Sequence, residues 1–162
     1  MTMRKTGVLF VCLGNICRSP LAQGVLEQRL AQTADAGRFL VDSCGTAAFN
    51  VGKEPDPRAI AVAERRGYAI AAQRARQISD EDFRNFRHIV AMDNSNLLTL
   101  RGWAPADFSG ELRLLMQFAP DSGNTQLADP YYEGAEAFDA TLSAIETAVD
   151  GLLGMLLRSA IP

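Results

Sequence analysis

At 162 residues the chain has room for one domain with its own core, and 48% hydrophobic with 22% charged residues is the balance of a globular protein. A net charge of −3 gives no bulk attraction to nucleic acid or to an anionic membrane. The cysteines, Cys12, Cys17 and Cys44, form no disulfide framework, and one histidine, His88, with no Cys-x-x-Cys pair, argues against a bound metal.

The N-terminus has a basic start and a short apolar run that Gly14 and Asn15 interrupt, with no small-residue cleavage site behind it. A signal peptide is therefore not expected, and no apolar stretch approaches the length that spans a bilayer. The expectation is a soluble, cytoplasmic protein without cofactors.

Residues 7–11 (GVLFV) are continuously apolar and β-branched or aromatic, which predicts a buried strand of a parallel sheet. Residues 19–30 follow as a helix with Leu21, Val25, Leu26 and Leu30 on one face and Pro20 at its first position. Residues 39–41 predict a second strand, ending in a turn-rich stretch. Asp56 and Pro57 open another helix that Gly67 stops. Lys53, Arg58, Arg65, Arg66, Arg74 and Arg76 lie in this part of the chain and read as a solvated basic face.

Ser79 is placed to cap a short helix reaching Phe86. Residues 88–92 (HIVAM) form a third strand, and Asp93 caps the helix after it. Residues 111–116 suggest a fourth strand. In the last and longest helix Phe138, Leu142, Ile145, Val149, Leu152 and Leu156 recur every three or four residues. Strands alternating with helices predict a single α/β domain over residues 1–162: a four-stranded parallel sheet, doubly wound, with helices on both faces. In such sheets a ligand sits beyond the carboxyl ends of the strands.

The most informative stretch joins the first strand to the first helix: Cys12-Leu13-Gly14-Asn15-Ile16-Cys17-Arg18-Ser19-Pro20. Gly14 and Asn15 tolerate left-handed backbone, so successive N–H groups from Leu13 to Ser19 can curl into an anion-binding nest. The helix N-terminus adds unpaired N–H groups and its dipole. Arg18 offers a planar fork that grips two phosphoryl oxygens. The same field is expected to lower the thiol pKa of Cys12, which a helix N-terminus and a cation can bring to roughly 3.5–7.5. Ser19 is placed to donate to the sulfur. One loop thus binds a phosphate and holds a nucleophile beneath it.

With these residues the sequence resembles the low-molecular-weight protein tyrosine phosphatases. VDS at 41–43, NVGKEPDPRA at 50–59, RARQI at 74–78, AMDNSN at 91–96 and DPYY at 129–132 also stand where that family has similar segments. The resemblance covers nearly the whole chain and implies a small flavodoxin-like fold. It also implies hydrolysis of phosphotyrosine through a cysteinyl phosphate on Cys12, with no cofactor. Such an enzyme would act on a phosphotyrosine-containing protein as a monomer, and inorganic phosphate would be both product and inhibitor. Nucleic acid and membrane are not expected partners.

A thiolate attacking an aryl phosphate needs an acid for the leaving oxygen, since phenol has a pKa of about 10. Asp129 stands out among the carboxylates because Pro130 stiffens its loop and Tyr131 and Tyr132 exclude water. The family's acid lies on this Asp-Pro pair, so the resemblance gives Asp129 that role. It also implies that Asn15 and Ser43 support the loop and that Phe49 forms one wall for the substrate ring, with Tyr131 and Tyr132 opposite. A histidine that often joins the supporting network would fall near Gln73, so the usual hydrogen-bond scheme is not expected unchanged. Ile16 matches the tyrosine-directed members, the phosphoarginine-directed branch having Thr there.

Two readings of Cys17 stay open, a redox partner that captures oxidised Cys12 as a disulfide and a small buried packing residue. Cys44 reads as core, and His88 has no catalytic part. An arsenate reductase on the same fold would need cysteines well downstream, and none follows Cys44. A phosphoarginine phosphatase is the other alternative.

Overall fold

The computed structural model describes residues 4–159. Its strands are β1 (Thr6–Cys12), β2 (Phe39–Gly45), β3 (His88–Ala91) and β4 (Glu111–Leu114). All pairings are parallel, in the order β2-β1-β3-β4, the flavodoxin-like arrangement. The helices are α1 (Arg18–Ala31), α2 (Pro57–Arg65), α3 (Asp82–Asn85), α4 (Asn94–Trp103) and α5 (Ala135–Ser159).

Alternate residues of the central strands feed two cores, as the pleat requires. Val8, Phe10, Val90 and Met92 pack with the apolar stripes of α1 and α5. Leu9, Val11, Ile89 and Ala91 face Phe83 and Phe86 around α3 and Leu97 and Leu100 of α4. Helices therefore cover both faces of the sheet.

Several boundaries differ from the sequence reading. β2 runs on to Gly45 because its backbone pairs with β1 as far as Cys12↔Gly45, which the turn-like composition of this stretch conceals. β4 stops at Leu114, and residues Leu115–Phe118 tighten into a 3-10 turn. Pro20 is the third residue of α1, which starts at Arg18. Ser79 does not cap α3; its backbone N–H instead donates to Asp82 Oδ2 at 2.8 Å. Asp56 and Asp93 do cap, accepting from the amides of Arg58 and Asn96 at 2.8 Å.

Contrary to the sequence reading, α5 is by length and composition long and apolar enough to cross a membrane. Its apolar residues are spent on the core, however: Phe138, Leu142, Ile145, Val149, Leu152 and Leu156 are at most 1% exposed. Its polar face is tied to neighbours, with Glu146 and Asp139 accepting from Arg66 and Asp150 from Arg29. The basic residues of the middle third are likewise mostly paired: Arg58 with Asp56, Arg74 with Glu54, and Arg76 with Asp42 and Asp82.

Candidate active site

β1 ends at Cys12 and α1 begins at Arg18, so the intervening loop hangs on two rigid elements. Its carbonyls point outward to fixed donors. Those of Cys12, Leu13 and Ile16 accept from the amides of Thr46, Ala47 and Asp56 at 2.8–3.0 Å, and that of Gly14 accepts from Asn50 Nδ2 at 3.2 Å. In a trans peptide the next N–H points the opposite way. With these carbonyls anchored outside, the loop backbone is held in place around Cys12, and the Asn15 amide faces its sulfur at 3.2 Å. Gly45 permits this closeness, since a Cβ there would meet the Leu13 carbonyl.

The bend is made by Asn15, the one non-glycine with positive φ among the described residues (56°). Its amide donates to Cys12 Sγ at 3.2 Å, and its Nδ2 reaches Ser19 Oγ (2.8 Å) and Ser43 Oγ (3.0 Å). Its Oδ1 accepts from the Arg76 amide at 3.0 Å. Ser19 Oγ lies 3.0 Å from Cys12 Sγ, and Ser43 Oγ donates to Gln23 Oε1 at 2.7 Å. Asn15, Ser19 and Ser43 thus meet in one buried network behind the sulfur. Gln73 does not enter it; its Nε2 donates to the Pro20 carbonyl at 3.1 Å, and the Arg76 amide bonds Asn15 instead.

Arg18 is 2% exposed yet lines the cleft. Its Nη1 donates to Asp93 Oδ2 and to the Leu127 carbonyl, both at 2.8 Å, while Nη2 lies 3.6 Å from Asp129 Oδ2. Asp93 was read from the sequence only as a helix cap. Its second oxygen holds the arginine, and the AMDNSN segment was the signal available for it.

The cleft measures about 350 Å³ and brings together Cys12, Leu13, Gly14, Ile16, Cys17 and Arg18 with Asp129. Phe49, Tyr131 and Tyr132 are among its other lining residues, and all three are solvent-exposed. Lys53, read from the sequence only as part of a solvated basic face, and Asn50 also line the cleft. Asp129 Oδ1 accepts from the Tyr131 amide at 3.1 Å, and its side chain is 39% exposed. Its loop is strapped to α2, because Arg58 donates to the carbonyls of Tyr131 and Glu133 at 2.8 and 2.9 Å.

Cys17 is buried at 4% exposure, and burial, with Asp56 and Cys12 nearby, pushes its thiol well up. Cys44 is fully buried and its thiol is raised for the same first reason. His88 lies in β3, away from the cleft.

The family model for low molecular weight phosphotyrosine protein phosphatase matches residues 7–160. A phosphatase of that name from Schizosaccharomyces pombe is 41% identical over 81% of this chain and 84% of its own. The crystal structure of a protein tyrosine phosphatase from Entamoeba histolytica superposes with a TM-score of 0.91 at 32% identity, covering 97% of this chain and all of its own. A Drosophila arginine phosphatase superposes with a TM-score of 0.86 at 33% identity, covering 92% of this chain and 96% of its own. A strand-to-helix loop closed around a cysteine, on a sheet shared with these enzymes, leaves one assignment: the chain belongs to the low molecular weight phosphotyrosine protein phosphatases.

Proposed function

We propose that the cleft hydrolyses phosphotyrosine and small aryl phosphates through a covalent phosphoryl intermediate on Cys12. The observation that carries this reading is the position of Cys12 Sγ, faced by the Asn15 amide at 3.2 Å and Ser19 Oγ at 3.0 Å in a cleft that Arg18 also lines. Sγ attacks phosphorus, the bond to the phenolic oxygen breaks, and Asp129 gives that oxygen a proton. Asp129, now a carboxylate, takes a proton from water as the water attacks phosphorus. The P–S bond then breaks, and inorganic phosphate leaves. Arg18 and the loop amides hold the transferring group in both steps. The Ser19 hydroxyl donates to the departing sulfur.

In this reading Asn15, Ser19 and Ser43 hold the loop, and Phe49, Tyr131 and Tyr132 flank the ring. The substrate is a phosphotyrosine-containing protein, inorganic phosphate inhibits as product, and the chain works as one cytoplasmic, monomeric domain. Burial and the raised thiol of Cys17 support the packing reading, and its place beside Cys12 in the cleft lining supports the redox one. Peroxide treatment followed by disulfide mapping decides between the readings, since the redox role requires a Cys12–Cys17 link.

Rapid-quench labelling with a phosphorylated aryl substrate tests the mechanism. Acid-stable phosphocysteine is expected in the wild type and not in Cys12→Ser; turnover without any label removes the covalent step. A second reading, phosphoarginine as substrate, draws on the likeness to the Drosophila arginine phosphatase. Ile16 presents an apolar side chain to the cleft and favours tyrosine. Comparing the two phosphorylated amino acids in one assay separates them.

A further inference from the structure

All strands run the same way, so the catalytic loop lies at their carboxyl ends and a second cleft lies at their amino ends. The two are separated by the length of β1, about 20 Å for a strand of this size. The second cleft measures about 300 Å³. The topology brings to it Arg4 and Lys5 from the entry to β1, Arg84 and Arg87 from α3 and its exit, and the turn at Ser109 and Gly110 before β4. Gly7 and Gly110 let the chain at 85–87 pack directly on the strand ends, since a Cβ on either would meet its backbone carbonyls.

The charge of this cleft is one-sided. Arg29, Arg58, Arg66 and Arg76 elsewhere each contact a carboxylate. Arg4, Lys5, Arg84 and Arg87 have none within ion-pair distance among the described residues, and no carboxylate lines the cleft. Glu111, next along the chain, is engaged by Arg113 at 3.1 Å. On a chain of net charge −3, cations gathered without counter-charge in a concave site raise the local concentration of anions. Phe83 and Phe86 are each only 5% exposed, so they form the floor and offer no face for stacking a nucleobase.

We propose that this cleft binds a chain of two or three phosphoryl groups, at a site separate from the catalytic loop and independent of the reaction assigned to that loop. Several cations spread along a groove match a linear polyanion better than a single phosphate, and the guanidinium forks supply paired donors to its oxygens. Free polyphosphate and a nucleotide's phosphate tail share this chemistry. A titration with each tells which carrier fits, equal affinity meaning that the phosphates are the whole ligand.

The test is a titration of the full chain with inorganic triphosphate, followed by backbone amide shifts in NMR. The catalytic loop can also take a phosphoryl group, so residues 13–19 report that event separately. Saturable shifts are expected at Gly7, Asn85 and Gly110. In Arg84→Ala/Arg87→Ala, two exposed side chains are removed without touching the core. Binding there is expected to weaken at least about tenfold, the scale of losing charge-assisted hydrogen bonds. Shifts at residues 13–19 and turnover of an aryl phosphate stay unchanged. Shifts confined to residues 13–19, or shifts at the second cleft that persist undiminished in the double variant, overturn the proposal.

Discussion

Arg18 and Asp93 are joined by a 2.8 Å hydrogen bond from Nη1 to Oδ2, and the other oxygen of Asp93 accepts from the Asn96 amide at 2.8 Å. One carboxylate therefore both starts α4 and fixes the angle at which the guanidinium enters the cleft. Nη1 also donates to the Leu127 carbonyl, while Nη2 faces Asp129 at 3.6 Å.

Substitution separates the two duties of Asp93. Asparagine is as good an N-cap as aspartate, but its amide nitrogen cannot accept from the buried Arg18, so Asp93→Asn should cost about 1–3 kcal/mol and lower kcat/KM roughly tenfold or more. Asp93→Ala should lose the cap as well, at a further cost of about 1 kcal/mol. Steady-state kinetics and denaturant melts on both variants check this. Wild-type kcat/KM in Asp93→Asn would show that Arg18 needs no such support.

Asp129 lines the cleft 3.6 Å from Arg18 Nη2, and the proposed mechanism has it protonate the leaving oxygen. For Asp129→Ala, turnover of phosphotyrosine should fall by about 10²–10⁴, the usual worth of a positioned acid, and much less for an aryl phosphate with an acidic phenol. The measurement is kcat against leaving-group pKa. Equal losses across the series take the acid role away from Asp129.

The parts legible in the sequence were those set by local pattern. The strand of residues 7–11, the stripe of α5 and the caps Asp56 and Asp93 follow from periodicity and side-chain chemistry. The placement of the Cys12-to-Ser19 stretch between a strand and a helix was legible too. What stayed hidden depends on distant chain meeting in space. The sequence gives no hint that Gln23 would accept from Ser43, or that the Arg76 amide would bond Asn15. The extension of β2 was hidden for the same reason, its last pairs being set by β1 and not by propensity.

Asn15 carries both strain and bonds, and the two can be measured apart. Asn15→Ala places a Cβ-bearing residue without a polar group at a φ of 56° and removes the side-chain bonds to Ser19, Ser43 and the Arg76 amide. It should destabilise by roughly 1–3 kcal/mol and reduce kcat. Asn15→Gly relieves the backbone but not the bonds, so it should recover part of the stability and little of the activity. Full recovery of kcat in the glycine variant would mean that the loop needs the conformation alone.

Arg58 links α2 to the loop carrying the acid, donating to the carbonyls of Tyr131 and Glu133 and lying 4.4 Å above the Phe138 ring. Arg58→Ala should loosen Asp129 without touching Cys12. The expected result is a fall of about tenfold in kcat for phosphotyrosine, since small misplacements of a catalytic group are costly, with little change for an acidic leaving group. A uniform fall in kcat/KM across leaving groups would instead place Arg58 in substrate binding.

His88 gives the fold a pH dependence that is separable from the chemistry. Burial in β3 lowers its pKa, with Arg87 and Arg113 acting in the same direction and Glu111 opposing them. Unfolded, the imidazole takes a proton near pH 6.5, so below that pH the unfolded chain binds more protons than the folded one and stability falls. Above it both states are neutral and the contribution is constant. Glu27, whose carboxyl burial pushes up, acts in the opposite sense but is shared by wild type and variant. His88 is the only histidine, so the difference between wild type and His88→Gln between pH 5 and about 6.5 isolates this group. The unfolding free energy of the wild type should drop more steeply with acid than that of the variant. Parallel curves would mean that the imidazole is protonated equally in both states.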